Sequence, residues 1–180
     1  MRFTHDLGDD YALALRTPDT AEECLALTLK NLDRLRRWEH WALAEHTLDD
    51  LTAFMRAKLE EFAAGQTVPC NIYAGDRIVG FAALRMDQYH LTAELGYWLD
   101  AEFEGRGIVT RACRALIEYG EQLGMRRFVI CCAVENARSG AVAERLGFAH
   151  EGVLRGGLRV GDRNLDAHIY GRLAPADAPA

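Results

Sequence analysis

The run Ala93-Glu94-Leu95-Gly96-Tyr97-Trp98-Leu99-Asp100 is followed by Glu104-Gly105-Arg106-Gly107-Ile108-Val109-Thr110, an order that predicts a strand breaking into a glycine-spaced loop that opens a helix. Gly105 and Gly107 carry no Cβ to block an approaching ligand, and the first N–H groups of a helix have no intrahelical partner. Together they make a cradle for phosphate oxygens. A second unit, Glu135-Asn136-Ala137-Arg138-Ser139, falls between another predicted strand and another helix. The two units point to a protein that holds a pyrophosphate-bearing cofactor and does chemistry beside it. A Gly-x-Gly pair alone usually marks a turn. Here an extended segment precedes it, an amphipathic helix follows, and Arg106 and Arg111 flank it with positive charge. The third glycine and the distant acidic residue of a dinucleotide fingerprint are missing, as is the Lys-Ser or Lys-Thr of a Walker loop.

The elements that must position these groups are legible in outline. Residues 11–15 predict a first edge strand. Thr20 and Glu23 form a Thr-x-x-Glu capping box for a helix running toward Lys30. Trp38 and Trp41 lie close together in a helical or loop-like stretch, where aromatics three apart on a helix pack into a core more often than they bind substrate. Thr47 caps a longer helix with Leu48, Leu51, Met55, Leu59 and Phe62 on one stripe, stopped by Gly65. Residues 68–74 and 77–86 read as strands around a Gly75-Asp76 turn, and residues 92–99 as a third. A helix over residues 110–123, a strand over 127–133 and a short helix over 137–146 follow. The last strands, 153–160 and 165–173, are joined by Gly161-Asp162-Arg163-Asn164.

The chain has 180 residues, 49% hydrophobic and 27% charged, which suits one α/β domain over residues 1–173 with a loose tail at 174–180. A formal net charge of -6, with no stripe of basic and aromatic residues, argues against nucleic-acid binding. Cys24, Cys70, Cys113, Cys131 and Cys132 are odd in number and lack a Cys-x-x-Cys pair, so neither a disulfide framework nor a metal site is expected. Reduced thiols, the absence of a signal-peptide pattern and the absence of a membrane-length apolar run predict a cytoplasmic protein without membrane attachment.

Six ordered blocks carry a family resemblance: Ala-Glu-Leu-Gly-Tyr-Trp-Leu-Asp, Gly-Arg-Gly-Ile, Arg-Arg-Phe-Val-Ile, Glu-Asn-x-x-Ser, Leu-Gly-Phe-x-x-Glu-Gly and Ile-Tyr-Gly-Arg-Leu. At this spacing residues 94–173 resemble the GNAT acyltransferase superfamily, in its RimJ/RimL (ribosomal-protein N-acetyltransferase) branch. The resemblance implies a mixed, mostly antiparallel sheet, splayed at the cofactor site and flanked by helices, an α/β (α+β) fold. It implies acetyl-CoA as cofactor, with diphosphate held by backbone N–H groups across Gly105, Arg106, Gly107, Ile108, Val109 and Thr110. Pantetheine would lie along Leu95, Gly96, Tyr97, Trp98 and Leu99, whose N–H groups near Gly96 to Trp98 would also serve a developing oxyanion.

By the same resemblance Ser139 protonates the departing sulfur, and Asn136 orients the cofactor or a water. Read without the family, Asn136 is a helix N-cap and Ser139 a first-turn residue. Where some members carry a basic glutamate, the register here places Leu158. Glu94, at the head of the cofactor strand, is the substitute general base, ahead of His168, Asp166 and His90. Tyr170 either lines the thioester pocket or packs. Two loop residues depart from the family, Glu104 for Gln or Arg and Val109 for a small residue. A carboxylate roughly 6 Å from a phosphate costs about 1–3 kcal/mol, so weakened CoA binding is expected. The expected reaction is direct acetyl transfer to a primary amine, a protein N-terminus or a small molecule, by a monomer or homodimer. The alternatives are transfer of another acyl group and a non-catalytic acyl-CoA sensor.

Overall fold

Strands and helices in the computed structural model, which describes residues 4–175, fall where the apolar period changes between two and three-to-four. Strand β1 (Thr4–Gly8) pairs with β2 (Tyr11–Leu15), β2 with β3 (Thr67–Ala74), β3 with β4 (Arg77–Asp87), and β4 with β5 (Thr92–Leu99), all antiparallel. Next to β5 lies β6 (Arg127–Ala133), running parallel to it. Beyond β6 come β8 (Arg163–Leu173) and then β7 (Ala149–Val160), so the order is β1-β2-β3-β4-β5-β6-β8-β7. A parallel step needs a crossover, and helix α3 (Ile108–Gln122) supplies it.

Each face of the sheet is covered by two helices. On one, Cys24 and Leu27 of α1 (Ala21–Leu35) and Met55 of α2 (Leu48–Ala63) pack on Ala14, Tyr73 and Ile78. On the other, Ile108 and Leu116 of α3 and Val142 of α4 (Ala137–Arg145) pack on Leu84, Leu95, Phe128 and Ile130. Burying each large side chain contributes about 1.5–3 kcal/mol. A Cβ at Gly120 would stand 2.8 Å from Phe128 and 2.9 Å from Leu84, so α3 sits close on the strands it connects. The expected mixed, mostly antiparallel α+β architecture is borne out.

Local expectations met different fates. Thr47 caps α2, its hydroxyl accepting from the Asp50 N–H at 3.1 Å, and Gly65 follows the helix at φ +70°. The capping box at Thr20 does not form. Thr20 donates to Thr17 O at 2.7 Å and accepts from Asn71 Nδ2 at 3.1 Å, while Glu23 accepts the N–H of Ile78 at 2.6 Å. Partners on the sheet outcompete the local cap. Helix α1 runs past Lys30 to Leu35 because Asn31 and Leu35 are still buried. Trp38 therefore lies in the turn after α1, and Trp41 in a short 3-10 helix (His40–Leu43), not three apart on one helix. Residues 11–15 form an interior strand, since β1 takes the edge. Helix α3 starts at Ile108, two residues before Thr110, and the last hairpin turns at Gly161 and Asp162.

Of the proposed tail, the Ala174 N–H donates to Arg126 O at 2.9 Å, and residues 176–180 lie outside the described residues. Among the described residues no helix is long and apolar enough to cross a membrane. All five cysteines are free thiols, and four of them are buried.

Candidate active site

Parallel pairing between β5 and β6 stops early. It joins Thr92 to Arg127, Ala93 to Phe128 and Glu94 to Val129. Past Glu94, β5 keeps its ladder with β4 as far as Leu99, and β6 keeps its ladder with β8 as far as Ala133. The two strands part into a fork with Glu94 at its apex. Backbone groups of residues 95–99 that point away from β4 have no ladder partner on β6, and buried backbone polar groups need one. An extended ligand carrying amides fits that need.

At the open end of β5 the chain is pinned before it reaches α3. Asp100, fully buried, accepts from Lys30 Nζ at 2.8 Å and Asn31 Nδ2 at 3.3 Å, and pairs with Arg77 at 3.4 Å. Burial pushes its carboxyl up, but the Lys30 and Asn31 hydrogen bonds pull harder and hold it below the ordinary value. Glu102 pairs with Lys30 at 2.7 Å. The loop then passes through Gly105 and Gly107 at φ +78° and +71°, a left-handed conformation that a Cβ strains, and the space where each Cβ would stand is open. Thr47 caps α2 and Asn136 caps α4, whereas α3 starts from Gly107 with no side-chain cap. Ile108, 1% exposed, anchors this helix end, and the first-turn N–H groups, among them those of Val109 and Thr110, remain for an anion. Of the two arginines expected to flank the cradle, Arg106 stacks on Phe103 and donates to Glu102 O. Arg111 instead binds the carbonyls of Leu7 and Gly8 and the Asp9 carboxylate.

Glu104 does not face the cradle as a lone negative charge. Arg34 of α1 and Arg138 of α4 both ion-pair with its carboxylate, so the three side chains together carry one net positive charge. Nothing in the one-dimensional spacing signalled Arg34, which lies 70 residues away.

Ser139 stands in the first turn of α4. Its Oγ lies 2.9 Å from the hydroxyl of Tyr97, which projects from the diverging part of β5. Burial pushes the Tyr97 phenol well above its ordinary value, so the group stays protonated at neutral pH and can donate. Asn136 is the N-cap, its Oδ1 accepting the Ser139 N–H at 3.3 Å. The capping geometry and the placement of Ser139 are one arrangement. Burial raises the neighbouring Cys132 thiol, and a hydrogen bond with Ser139 partly offsets this.

Glu94 is bound by Arg85 across the β4–β5 ladder, N to O 2.8 Å, with both side chains substantially exposed. They line a cleft of about 340 Å³ with Met86, Asp87, Thr92 and Val129. Sequence reasoning missed Arg85 and also Glu39, whose carboxyl is raised by burial, with Trp41 Nε1 donating to it at 2.9 Å and Arg85 acting electrostatically. The hairpin register was the available signal for Arg85. The other base candidates are not gathered here. His168 pairs with His150 at 2.8 Å, Asp166 accepts the Gly156 N–H at 2.8 Å, and His90 lies in the β4–β5 turn against Tyr89. Leu158 faces Leu165, and Tyr170 packs beneath Gly140, whose Cβ would meet its hydroxyl at 2.9 Å.

A forked sheet, an uncapped helix start and a hydroxyl pair at the fork form one constellation, and the family model described as an acetyltransferase (GNAT) domain matches residues 12–149. This chain belongs to the GNAT acetyltransferase family. Within it, the chain is 34% identical to YdaF of Bacillus subtilis over 174 residues, 95% of each protein. It is 33% identical to the ribosomal-protein-serine acetyltransferase of Escherichia coli over 149 residues, covering 82% of this chain and 83% of that one. Among solved structures, the microcin C7 self-immunity acetyltransferase MccE in complex with acetyl-CoA and AMP superposes with a TM-score of 0.88 at 30% identity, over 93% and 94% of the two chains. The ribosomal L7/L12 acetyltransferase RimL in complex with coenzyme A superposes at 0.92 with 25% identity, over 97% and 100%. The protein is thus an acetyl-CoA-dependent N-acetyltransferase of the RimL-like branch. The GNAT site fits that group on its own terms. The open Cβ positions of Gly105 and Gly107 admit phosphate, and the unpaired edge of β5 admits a pantetheine arm.

Proposed function

We propose that this acetyltransferase acts on the α-amine of a protein N-terminus, which enters from the face covered by α1 and α2. The observation that carries the reading is the fork, whose parting strands leave residues 95–99 free on one side while α3 begins uncapped beyond them. When bound, acetyl-CoA supplies an activated acetyl group. The N–H groups of residues 105–110 hold its diphosphate, and residues 95–99 orient the pantetheine amides and offer N–H donors where negative charge develops. Glu94 takes the proton of the incoming amine, with Arg85 steering one carboxylate oxygen and leaving the other for the acceptor. An exposed pair of this kind is weak, so it aims the carboxylate without neutralising it. Ser139 Oγ delivers a proton to the departing thiolate, and the Tyr97 hydroxyl holds Ser139 in place. Asn136 fixes the backbone beneath it. A positioned acid or base of this kind contributes typically about 10²–10⁴-fold.

Leu158 favours one other reading, a non-catalytic acyl-CoA sensor, because a leucine pair replaces a proton acceptor at that place. Thiol release measured with acetyl-CoA against a panel of N-terminal peptides and small amines separates the two. Turnover above hydrolysis with α-amine peptides is the expected result. Tight acetyl-CoA binding with no acceptor turned over establishes the sensor, and turnover confined to small amines moves the acceptor class.

A further inference from the structure

Arg16 directly follows β2, and its N–H donates to Pro69 O at 2.8 Å, extending the pairing with β3 by one residue. Its side chain turns under α2, with Cζ 4.9 Å from the ring centroid of Phe81 on β4 and 6.0 Å from that of Phe54 on α2. The residue is 8% exposed, and its Nε is buried with no hydrogen-bond partner. The titratable group facing it is the Cys24 thiol of α1, which interacts with the guanidinium and also donates to Asn71 Oδ1 and Thr20 Oγ1. Among the described residues no carboxylate pairs with it. Arginine keeps its charge when buried, and a buried charge is normally paired.

The sheet register gives this cation an address. Pro69 pairs with Ala83, and Ala83 with Gly96, so Arg16 and Gly96 lie in one row across β2, β3, β4 and β5. Phe81, on which the guanidinium rests, pairs with Trp98, the next residue on that face of β5. Strands are spaced about 4.8 Å apart, so three steps put the Arg16 and Gly96 backbones roughly 14 Å apart, and the arginine side chain spans part of that distance to reach Phe81 on β4. Above Gly96 the space is open where a side chain would stand.

We propose that Arg16, backed by Phe81 and Phe54, is an anion subsite of the acceptor cleft that receives a carboxylate carried by the amine substrate. This rests on the reading that the amine enters from the α1 and α2 face. The spacing fits an amine and a carboxylate roughly 8–12 Å apart, as in an extended peptide with an acidic residue near its N-terminus or a short peptide with a free C-terminus. Guanidinium and carboxylate make strong, charge-assisted hydrogen bonds, and the aromatic walls keep water from competing for them.

The test uses amidated tetrapeptides with Glu or Gln at position 2 or 3, and free-acid tripeptides against their amides, with the full-length protein and its R16K and R16M variants. In the wild type, kcat/KM is expected to favour the acid over its neutral partner by at least about tenfold. The ratio falls toward one in R16M and is partly kept in R16K, which preserves the charge. Preference within the tetrapeptides assigns an internal acidic side chain, and preference within the tripeptides assigns a terminal carboxylate. The ¹⁵N–¹H resonance of Arg16 Nε, identified by its loss in R16K, gives a readout independent of turnover and is expected to shift with the acidic peptides only. Equal kcat/KM for acid and neutral peptides in the wild type, a preference that survives in R16M, or an Nε resonance indifferent to every acid overturns the proposal. If no peptide is acetylated while Nε still tracks the acids, the subsite stands and the transfer reading falls.

Discussion

The Tyr97 hydroxyl and Ser139 Oγ, 42 residues apart in the chain, meet at 2.9 Å across the mouth of the β5–β6 fork. One belongs to the strand that diverges, the other to the helix that follows its former partner. The contact thus exists only because the two strands separate. Ser139→Ala is expected to lower kcat about 10²-fold, with the acetyl-CoA dissociation constant within about twofold of wild type. Tyr97→Phe keeps the ring and removes the hydroxyl, and should lower kcat about 3–10-fold, as expected for one lost hydrogen bond. Pre-steady-state thiol release and calorimetry read the two quantities separately. Unchanged kcat in Ser139→Ala removes the serine from proton transfer.

Glu94 stands at the last paired position of the fork, where a base can reach an amine entering beside Gly96. In Glu94→Gln kcat should fall about 10²-fold or more, read by thiol release at saturating acetyl-CoA and peptide. An unchanged kcat reassigns the base, and Glu39, half-buried beside Trp41, is then the next residue to substitute.

Gly107 starts α3 at φ +71° with open space where its Cβ would stand. Gly107→Ala meets no atom, so the variant should fold with a loss of about 1 kcal/mol from the left-handed backbone. The added methyl sits where phosphate approaches, and the KM for acetyl-CoA should rise about tenfold while kcat at saturation changes little. Steady-state kinetics and thermal unfolding check both halves.

Arg138 offsets the charge of Glu104 at the edge of the cradle, and its side chain is largely exposed. Arg138→Gln leaves that carboxylate balanced by Arg34 alone. The KM for acetyl-CoA should rise about 2–5-fold at low ionic strength, and the difference should shrink toward 1 M salt, where the Debye length is about 3 Å. An effect indifferent to salt contradicts the electrostatic account.

Asp100 is fully buried under α1, and its carboxyl lies below the ordinary value because the Lys30 and Asn31 hydrogen bonds outweigh the cost of burial. A depressed folded-state value stabilises the fold above the unfolded carboxylate value of about 3.9. That contribution is lost as pH falls through the lower, folded value. Asp100→Ala should therefore destabilise the protein at pH 7 by about 2–4 kcal/mol and show a weaker acid dependence than wild type. Denaturant melts between about pH 2.5 and 7 measure it.

How much was legible depended on whether a residue's partner was near it in the chain. Thr47 and Asp50, the Gly75-Asp76 hairpin and the strand over residues 92–99 were readable because their hydrogen bonds are local or set by period. Thr20 and Glu23 misled for the converse reason. Their local capping pattern was intact, yet Asn71 and Ile78 lay within reach on the sheet and took both side chains. Residues 11–15 looked like an edge because β1 is five residues long and carries one buried side chain, too few for a clear alternation.

The family, the order of elements, the glycine cradle and the residues able to donate, accept or carry a proton can all be read along the chain. Those properties reside in residue type and in spacings of a few positions, which no packing can change. Which groups meet is a matter of packing: Ser139 with Tyr97, Glu104 with Arg34 and Arg138, Glu94 with Arg85, and Arg16 with the faces of two aromatic rings. Each of these depends on where strands diverge and how helices cover them, and that is set by the burial of apolar surface across the whole sheet.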